Sequence, residues 1–332
     1  MSPVVYYGDV HPRPFGLASW ERVKNKKPVT LFAECFAEML GVFFYVYLGI
    51  GSVAGLVLGG ILKESIANLF QVGFAFAIGI LLAITVCAGT SGGHFNPGIT
   101  IALSVFRGFP ARKVLPYIAS QILGAYIACA FVYLQWHPTF LKAEAALITA
   151  GTFKTANFTP GGPAGAFALF LPGGQTLGGA FITEFIVSAL VALVIWAVID
   201  PSNNFVSPAA GPAIISLAYA AAIWGFAPPG ICLNTARDLG ARLFAMTIYG
   251  TGASGGTFAA IPALVNIPGT FFAVILYEVF LTDSDRAISP SQRDFAMTAA
   301  SHRRLGGGHH FPIQSDVGEV LHDHHKTLKT DA

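Results

Sequence analysis

SGGHFNPGIT at residues 91–100 and LNTARDLG at 233–240 decide how this chain folds. Each leads into an apolar run, 96–106 and 234–245, that yields only about 16–18 Å of helix at 1.5 Å per residue. A bilayer core of about 30 Å needs about 20 apolar residues, so each run reaches roughly halfway. Both runs open on an asparagine, Asn96 and Asn234, a preferred N-cap residue. Pro97 then stands at the first helical position, where a missing N–H costs nothing. Short helices entered from irregular chain at membrane depth survive only when buried in protein or lining a wet cavity. Two half-spanning helices, rather than two interfacial loops, are the reading.

Six longer apolar runs frame them, at roughly 30–52, 68–88, 114–136, 179–199, 209–227 and 258–281, and none contains Lys or Arg. The chain of 332 residues is 54% hydrophobic and 11% charged, against about 25% charged in soluble domains. That balance excludes the soluble globular classes, and 37 glycines suit helices that approach closely in lipid. A net charge of +2 points to no nucleic-acid partner. Cys35, Cys87, Cys129 and Cys232 sit in or beside apolar runs without framework spacing, so no disulfides are expected. Residues 1–28 are polar and lack an apolar core, so no cleavable signal is expected there.

The pattern repeats. Glu38 lies in the first run and Glu184 in the fourth, and each is followed at similar distance by a half-span Asn. Repeats of about 30–136 and 179–281, each with three spans, must be inverted relative to one another, which places a site between them near the midplane. Charge sets the orientation. With the N-terminus inside, the cytoplasmic face collects fourteen cations: Arg13, Arg22, Lys24, Lys26, Lys27, Arg107, Arg112, Lys113, Arg286, Arg293, Arg303, Arg304, Lys326 and Lys329. Only Lys63, Lys142 and Lys154 fall outside. The expected organisation is a cytoplasmic tail at 1–28, a channel domain at 29–281 with an extracellular loop at about 137–178, and a cytoplasmic tail at 282–332.

Half-helices entering from opposite faces meet by their N-termini, each carrying about half a positive charge. That pairing repels cations, hydronium included, without a formal charge on the wall. Asn96 and Asn234 each offer N–H₂ to one permeating oxygen, which interrupts a proton wire. Arg237, one turn into the second half-helix, is a guanidinium at membrane depth and should face water. Asp238 is placed to pair with Arg242 at i+4. Glu38 and Glu184 suit a proton relay, as in an ion-coupled transporter, or acceptance of backbone N–H groups before the half-helices; the second use is preferred. No nucleophile–base pair, metal-ligand set or cofactor motif is evident, so neither an enzyme nor a metal site is expected.

These residues carry a resemblance. SGGHFNPGIT and LNTARDLG resemble the two Asn-Pro-Ala motifs of the aquaporin (major intrinsic protein) family, and AEMLG at 37–41 and the Glu184 segment resemble its Glu signatures. The match covers roughly 30–281. It implies an all-α integral membrane fold, six transmembrane helices plus two re-entrant half-helices, assembled as a homotetramer in lipid, in the plasma membrane. It also implies a selectivity filter of Phe76, Ile231, Ala221 or Ala222, and Arg237, with His94 packed beneath the first half-helix. Asp238 after the filter Arg, AGTFKT at 150–155, and the absence of a filter His resemble glycerol-permeable members. The expected function is a passive channel for water and small uncharged solutes such as glycerol, with water alone, hydrogen peroxide, ammonia or urea as alternatives. Two departures stand out: Gly98 replaces Ala in the first motif, and Thr235 replaces Pro before Ala236 in the second. Ile231 replaces the filter Cys of many water channels, with Cys232 next to it. In the tails, Asn157-Phe-Thr159 is a glycosylation sequon, and the segment Arg286–Pro290 carries Ser289 in a phosphorylation-like context. His302, His309, His310, His322, His324 and His325 belong to a polar tail expected to be solvated rather than metal-binding.

Overall fold

The structure is a computed structural model that describes residues 7–305 except Pro12 and Pro229. His309, His310, His322, His324 and His325 lie outside the described residues. The chain divides into two compact units, 31–295 and a smaller one made of 1–30 with 296–332. Within the smaller unit, Phe15–Lys24 is a helix and Arg13 pairs with Glu21 at 3.4 Å.

All regular structure among the described residues is helical. The main elements are α1 (Lys27–Leu62), α2 (Leu69–Ser91), α3 (Pro97–Phe106), α4 (Val114–Thr149), α5 (Leu177–Ile199), α6 (Gly211–Phe226), α7 (Thr235–Tyr249) and α8 (Asn266–Phe280). Among the described residues, five stretches are long and apolar enough to cross a membrane: Pro28–Leu62, Leu69–Ser91, Ala111–Thr149, Leu177–Ile199 and Gly256–Phe280. The run at 209–227, expected to be a sixth, forms α6 of 16 residues, about 24 Å at 1.5 Å per residue. Prolines bracket it: Pro212 sits in its first turn, and Pro228 follows its end.

Other boundaries also differ from the sequence reading: α1 runs past 52 to Leu62 and α7 past 245 to Tyr249. Helix α4 does not stop near 136 but continues through Pro138 to Thr149, because its outer turns have something to bury. Phe140 is fully buried and stacks on Phe167 at 5.4 Å, and Ala143 is fully buried beside it. The last span is broken at Val265, between the short helix Ala260–Leu264 and α8, so Asn266 opens a new helix inside an apolar stretch.

Packing is close between α5 and α8, α2 and α6, and α4 and α7. Small residues permit it, as expected where lipid removes the hydrophobic incentive to associate. A Cβ on Gly124 would collide with the Met39 carbonyl oxygen, and one on Gly240 with the Ile122 carbonyl oxygen. One apolar core joins α1, α2, α4 and α7; a second joins α3, α5, α6 and α8. The short helices α3 and α7 meet between them.

Candidate functional site

The short helices α3 and α7 are built alike. Asn96 caps α3, its Oδ1 accepting from Gly98 N–H at 2.9 Å. Asn234 caps α7, its Oδ1 accepting from Ala236 N–H at 2.9 Å and Arg237 N–H at 3.3 Å. Each asparagine is preceded by a non-glycine residue in the left-handed region, Phe95 at φ 48° and Leu233 at φ 65°. Such backbone costs about 1–3 kcal/mol per residue and persists only when its surroundings hold it.

Two buried glutamates supply that hold. Glu38, on α1, accepts from His94 N–H at 3.0 Å and Phe95 N–H at 2.7 Å. Glu184, on α5, accepts from Cys232 N–H at 2.6 Å and Leu233 N–H at 2.7 Å. The left-handed residues then serve the opposite helix. Asn96 Nδ2 donates to Leu233 O at 2.9 Å, and Asn234 Nδ2 donates to Phe95 O at 2.8 Å. The N-termini of α3 and α7 therefore abut, and their partial positive charges converge. Burial is nearly complete: Glu38 and Glu184 are 0% and 1% exposed, Asn96 and Asn234 4% and 5%.

The remaining motif residues surround this centre. His94 lies in a bed of Phe109 and Tyr117, with ring centroids at 4.5 and 5.2 Å, and its Nδ1 is 3.3 Å from Thr100 Oγ1. Pro97, Gly98, Thr235 and Ala236 are all buried in the first turns of their helices. Arg237 is buried, and its guanidinium donates to Phe167 O at 3.3 Å. Asp238 pairs with Arg242 through 2.5 Å and 3.0 Å bonds, and Arg242 also donates to Leu169 O and Ser254 O.

Phe76 and Ile231 pack against different apolar cores. Phe76 is half-buried over Gly49, where no Cβ would fit, and packs with the α1–α2–α4–α7 core. Ile231 packs with buried Ala222 in the other core, while Ala221 is exposed. Asn157 of the sequon is only 3% exposed, and its Oδ1 accepts from Ala164 N–H at 3.1 Å. Among the described residues no group of three His, Cys, Asp or Glu gathers as for a metal.

Sequence reasoning missed four participants. Tyr45 lies two turns after Glu38 on the same face of α1, and its hydroxyl accepts from Asn234 Nδ2 at 2.8 Å. Gln121 donates to Glu38 at 2.7 Å and to Thr100 at 3.0 Å. Asn266 bonds both Asn96 and Thr235. The loop at 163–168 is buried and lends its Phe167 carbonyl to Arg237. Lone amides within apolar runs were the available signal for Gln121 and Asn266. The small-residue string PAGAFA was the signal for the loop.

The major intrinsic protein family profile matches residues 25–276. The chain belongs to the major intrinsic protein family. The family consists of passive channels rather than enzymes, and its helices make this a multi-pass integral membrane protein. The chain is 55% identical over 305 residues to Aquaporin-3 of Laccaria bicolor, covering 91% of this chain and 92% of that one. It is 34% identical over 218 residues to a glycerol uptake facilitator protein of Haemophilus influenzae, covering 65% and 79%. Its fold is similar to the aquaglyceroporin from Plasmodium falciparum at a TM-score of 0.64 and 23% identity, covering 76% of this chain and 97% of that one.

Proposed function

We propose that the chain conducts water and small uncharged solutes such as glycerol down their gradients while excluding protons and ions. One observation carries this: the reciprocal arrangement in which Asn96 and Asn234 cap abutting helices, each held by the hinge residue of the other. Two fixed amides beside two converging helix N-termini offer donors to a permeating hydroxyl and a positive field to any cation. Arg237 adds donors toward one mouth, and the Phe167 carbonyl bonded to it keeps its fork fixed. Phe76, Ile231 and Ala222 supply apolar walls, and Ala221 is the alternative at that last position. Similarity to a glycerol uptake facilitator supports a constriction that admits a carbon backbone.

In this reading α6 is the sixth crossing element, α3 and α7 are re-entrant half-helices, and the two halves form an inverted repeat. Both termini lie in the cytoplasm, following the distribution of Lys and Arg, and the protein works as a homotetramer in the plasma membrane. Glu38 and Glu184 act as backbone acceptors, not as proton carriers. Tyr45 is an internal hydroxyl that a permeant displaces from Asn234.

Stopped-flow light scattering on proteoliposomes tests the reading. After a glycerol jump, vesicles should shrink and then re-swell faster than protein-free vesicles, and an uncoupler should change nothing. Re-swelling no faster than in empty vesicles defeats the glycerol assignment; uphill uptake abolished by an uncoupler defeats the channel.

A further inference from the structure

We propose that Asn266 is a positioning residue that completes the asparagine pair, compensating as one unit for the proline and alanine absent from the two motifs. The inference rests on the channel reading above for its meaning, but its geometry stands by itself.

The two caps are unequal in their own helices. Asn234 Oδ1 accepts two backbone N–H groups, from Ala236 and Arg237, whereas Asn96 Oδ1 accepts only one, from Gly98. Asn266 provides the missing donor: its Nδ2 lies 2.9 Å from Asn96 Oδ1 and 3.3 Å from Leu233 O. With Oδ1 held from two directions, the Asn96 amide keeps its own N–H₂ turned away, toward Leu233 O and the permeation path.

The other end of the same amide answers the missing proline. Thr235 occupies the first helical position of α7, where Pro97 stands in α3. Proline there needs no partner; threonine brings a hydroxyl into a site where it is 4% exposed. Asn266 Oδ1 accepts that hydroxyl at 2.6 Å. Asn266 is itself 0% exposed, and both its donors and its acceptor are used. The break before α8 sets it at the level of the two caps.

Gly98 belongs to the same adjustment. A Cβ there would stand 3.0 Å from Thr270 Oγ1 and 3.5 Å from Asn266 Nδ2, tighter than an alanine normally tolerates against Thr270. Glycine leaves room for two polar side chains of α8 where a methyl would crowd them. Gly98, Thr235 and Asn266 therefore form a single solution, one amide joining the first turn of α7 to the cap of α3.

The test is a double-mutant cycle between Asn266→Ala and Thr235→Pro in proteoliposomes, read by glycerol flux, proton leak with an internal pH dye, and thermal unfolding in detergent. Asn266→Ala alone should lower glycerol flux several-fold and raise the proton leak, because Asn96 loses its second donor. Thr235→Pro alone should cost stability by stranding Asn266 Oδ1. Combining them should recover most of the lost stability, while the proton leak persists because Asn96 remains under-held. A merely structural role would move unfolding and leave proton leak per folded channel unchanged, and that result overturns the proposal. Strictly additive unfolding in the cycle overturns it too. If Asn266→Ala yields no folded protein, the double variant must restore folding, and failure to do so counts against the proposal. Wild-type vesicles that pass water but no glycerol would sink only the glycerol reading, and the cycle is then read on water flux, proton leak and unfolding.

Discussion

Replacing Glu38 by Gln separates a backbone acceptor from a proton carrier. Four donors converge on the two Glu38 oxygens: His94 N–H at 3.0 Å, Phe95 N–H at 2.7 Å, Gln121 Nε2 at 2.7 Å and the Ser91 hydroxyl. A glutamine keeps one oxygen and turns an N–H₂ toward at least one of those donors. Bonds to charged groups contribute about 1.5–3 kcal/mol, neutral ones about 0.5–1.5, and an orphaned buried donor costs about 1–3. Relief from burying a full charge offsets part of this. The net destabilisation should be about 2–4 kcal/mol for Glu38→Gln. Glu184→Gln should cost less, about 1–3 kcal/mol. Its two backbone donors are not joined by a side-chain amide such as the Gln121 donor at Glu38, and the Ser188 hydroxyl, 3.4 Å away, can turn to accept from the new amide.

Thermal unfolding in detergent, paired with glycerol flux per folded protein, measures both effects. The expected order of unfolding midpoints is wild type, then Glu184→Gln, then Glu38→Gln, with residual flux in whatever protein remains folded. A proton-coupled carrier would behave in the opposite way: Glu→Gln would leave the midpoint unchanged and abolish transport. That outcome at either glutamate refutes the reasoning.

Four further perturbations, at Gly124, Gly60, Tyr45 and Cys232, extend the test. Gly124→Ala should destabilise by about 1–3 kcal/mol through overpacking, since the added methyl meets the Met39 backbone oxygen. Gly60→Ala, with open space around it, should be neutral or stabilising; equal unfolding midpoints for the two variants would contradict the close-approach argument. Tyr45→Phe removes the hydroxyl that holds Asn234 Nδ2, and releasing one neutral bond of about 0.5–1.5 kcal/mol should raise glycerol flux about two- to tenfold. Flux that is unchanged or reduced, at equal amounts of folded protein, would show that Tyr45 does not compete with the permeant. The Cys232 thiol faces Asn234 O at 3.2 Å, so mercurials should leave most of the flux intact. Strong block that disappears in Cys232→Ser would show the thiol open to the pore.

What could be read from the sequence divides along a physical line. Asn96, Asn234, Glu38 and Glu184 were legible because each carries chemistry that its surroundings could not tolerate without a purpose: caps on half-length helices and carboxylates at membrane depth. The pairing of Asp238 with Arg242 was legible because helical spacing alone creates it. The partners of Arg237, by contrast, depend on a loop some seventy residues earlier in the chain. No local pattern shows which carbonyl of a small-residue string will face a guanidinium. Helix α4 was read only as far as its apolar run, to 136, whereas Phe140 stacking on Phe167 favours its continuation past Pro138. Of the two alanines, Ala222 is buried in the core against which Ile231 packs and Ala221 is exposed, a distinction set by helix rotation rather than by residue type.

The centre is held together by a closed circuit of hydrogen bonds rather than by either motif alone. Glu38 holds Phe95 in the left-handed region; Phe95 O then accepts from Asn234. Glu184 holds Leu233 likewise, and Leu233 O accepts from Asn96. Each asparagine is thus oriented by the hinge of the half to which it does not belong. Neither hinge would keep its strained backbone, at about 1–3 kcal/mol each, without the glutamate beneath it. A perturbation in one half must therefore misplace the donor of the other. Glu184→Gln, placed beneath Leu233, should disturb Asn96 as well as Asn234, and should raise proton leak as well as slow glycerol. A Glu184→Gln protein with slowed glycerol flux but unchanged proton exclusion would show that the two halves set their asparagines independently.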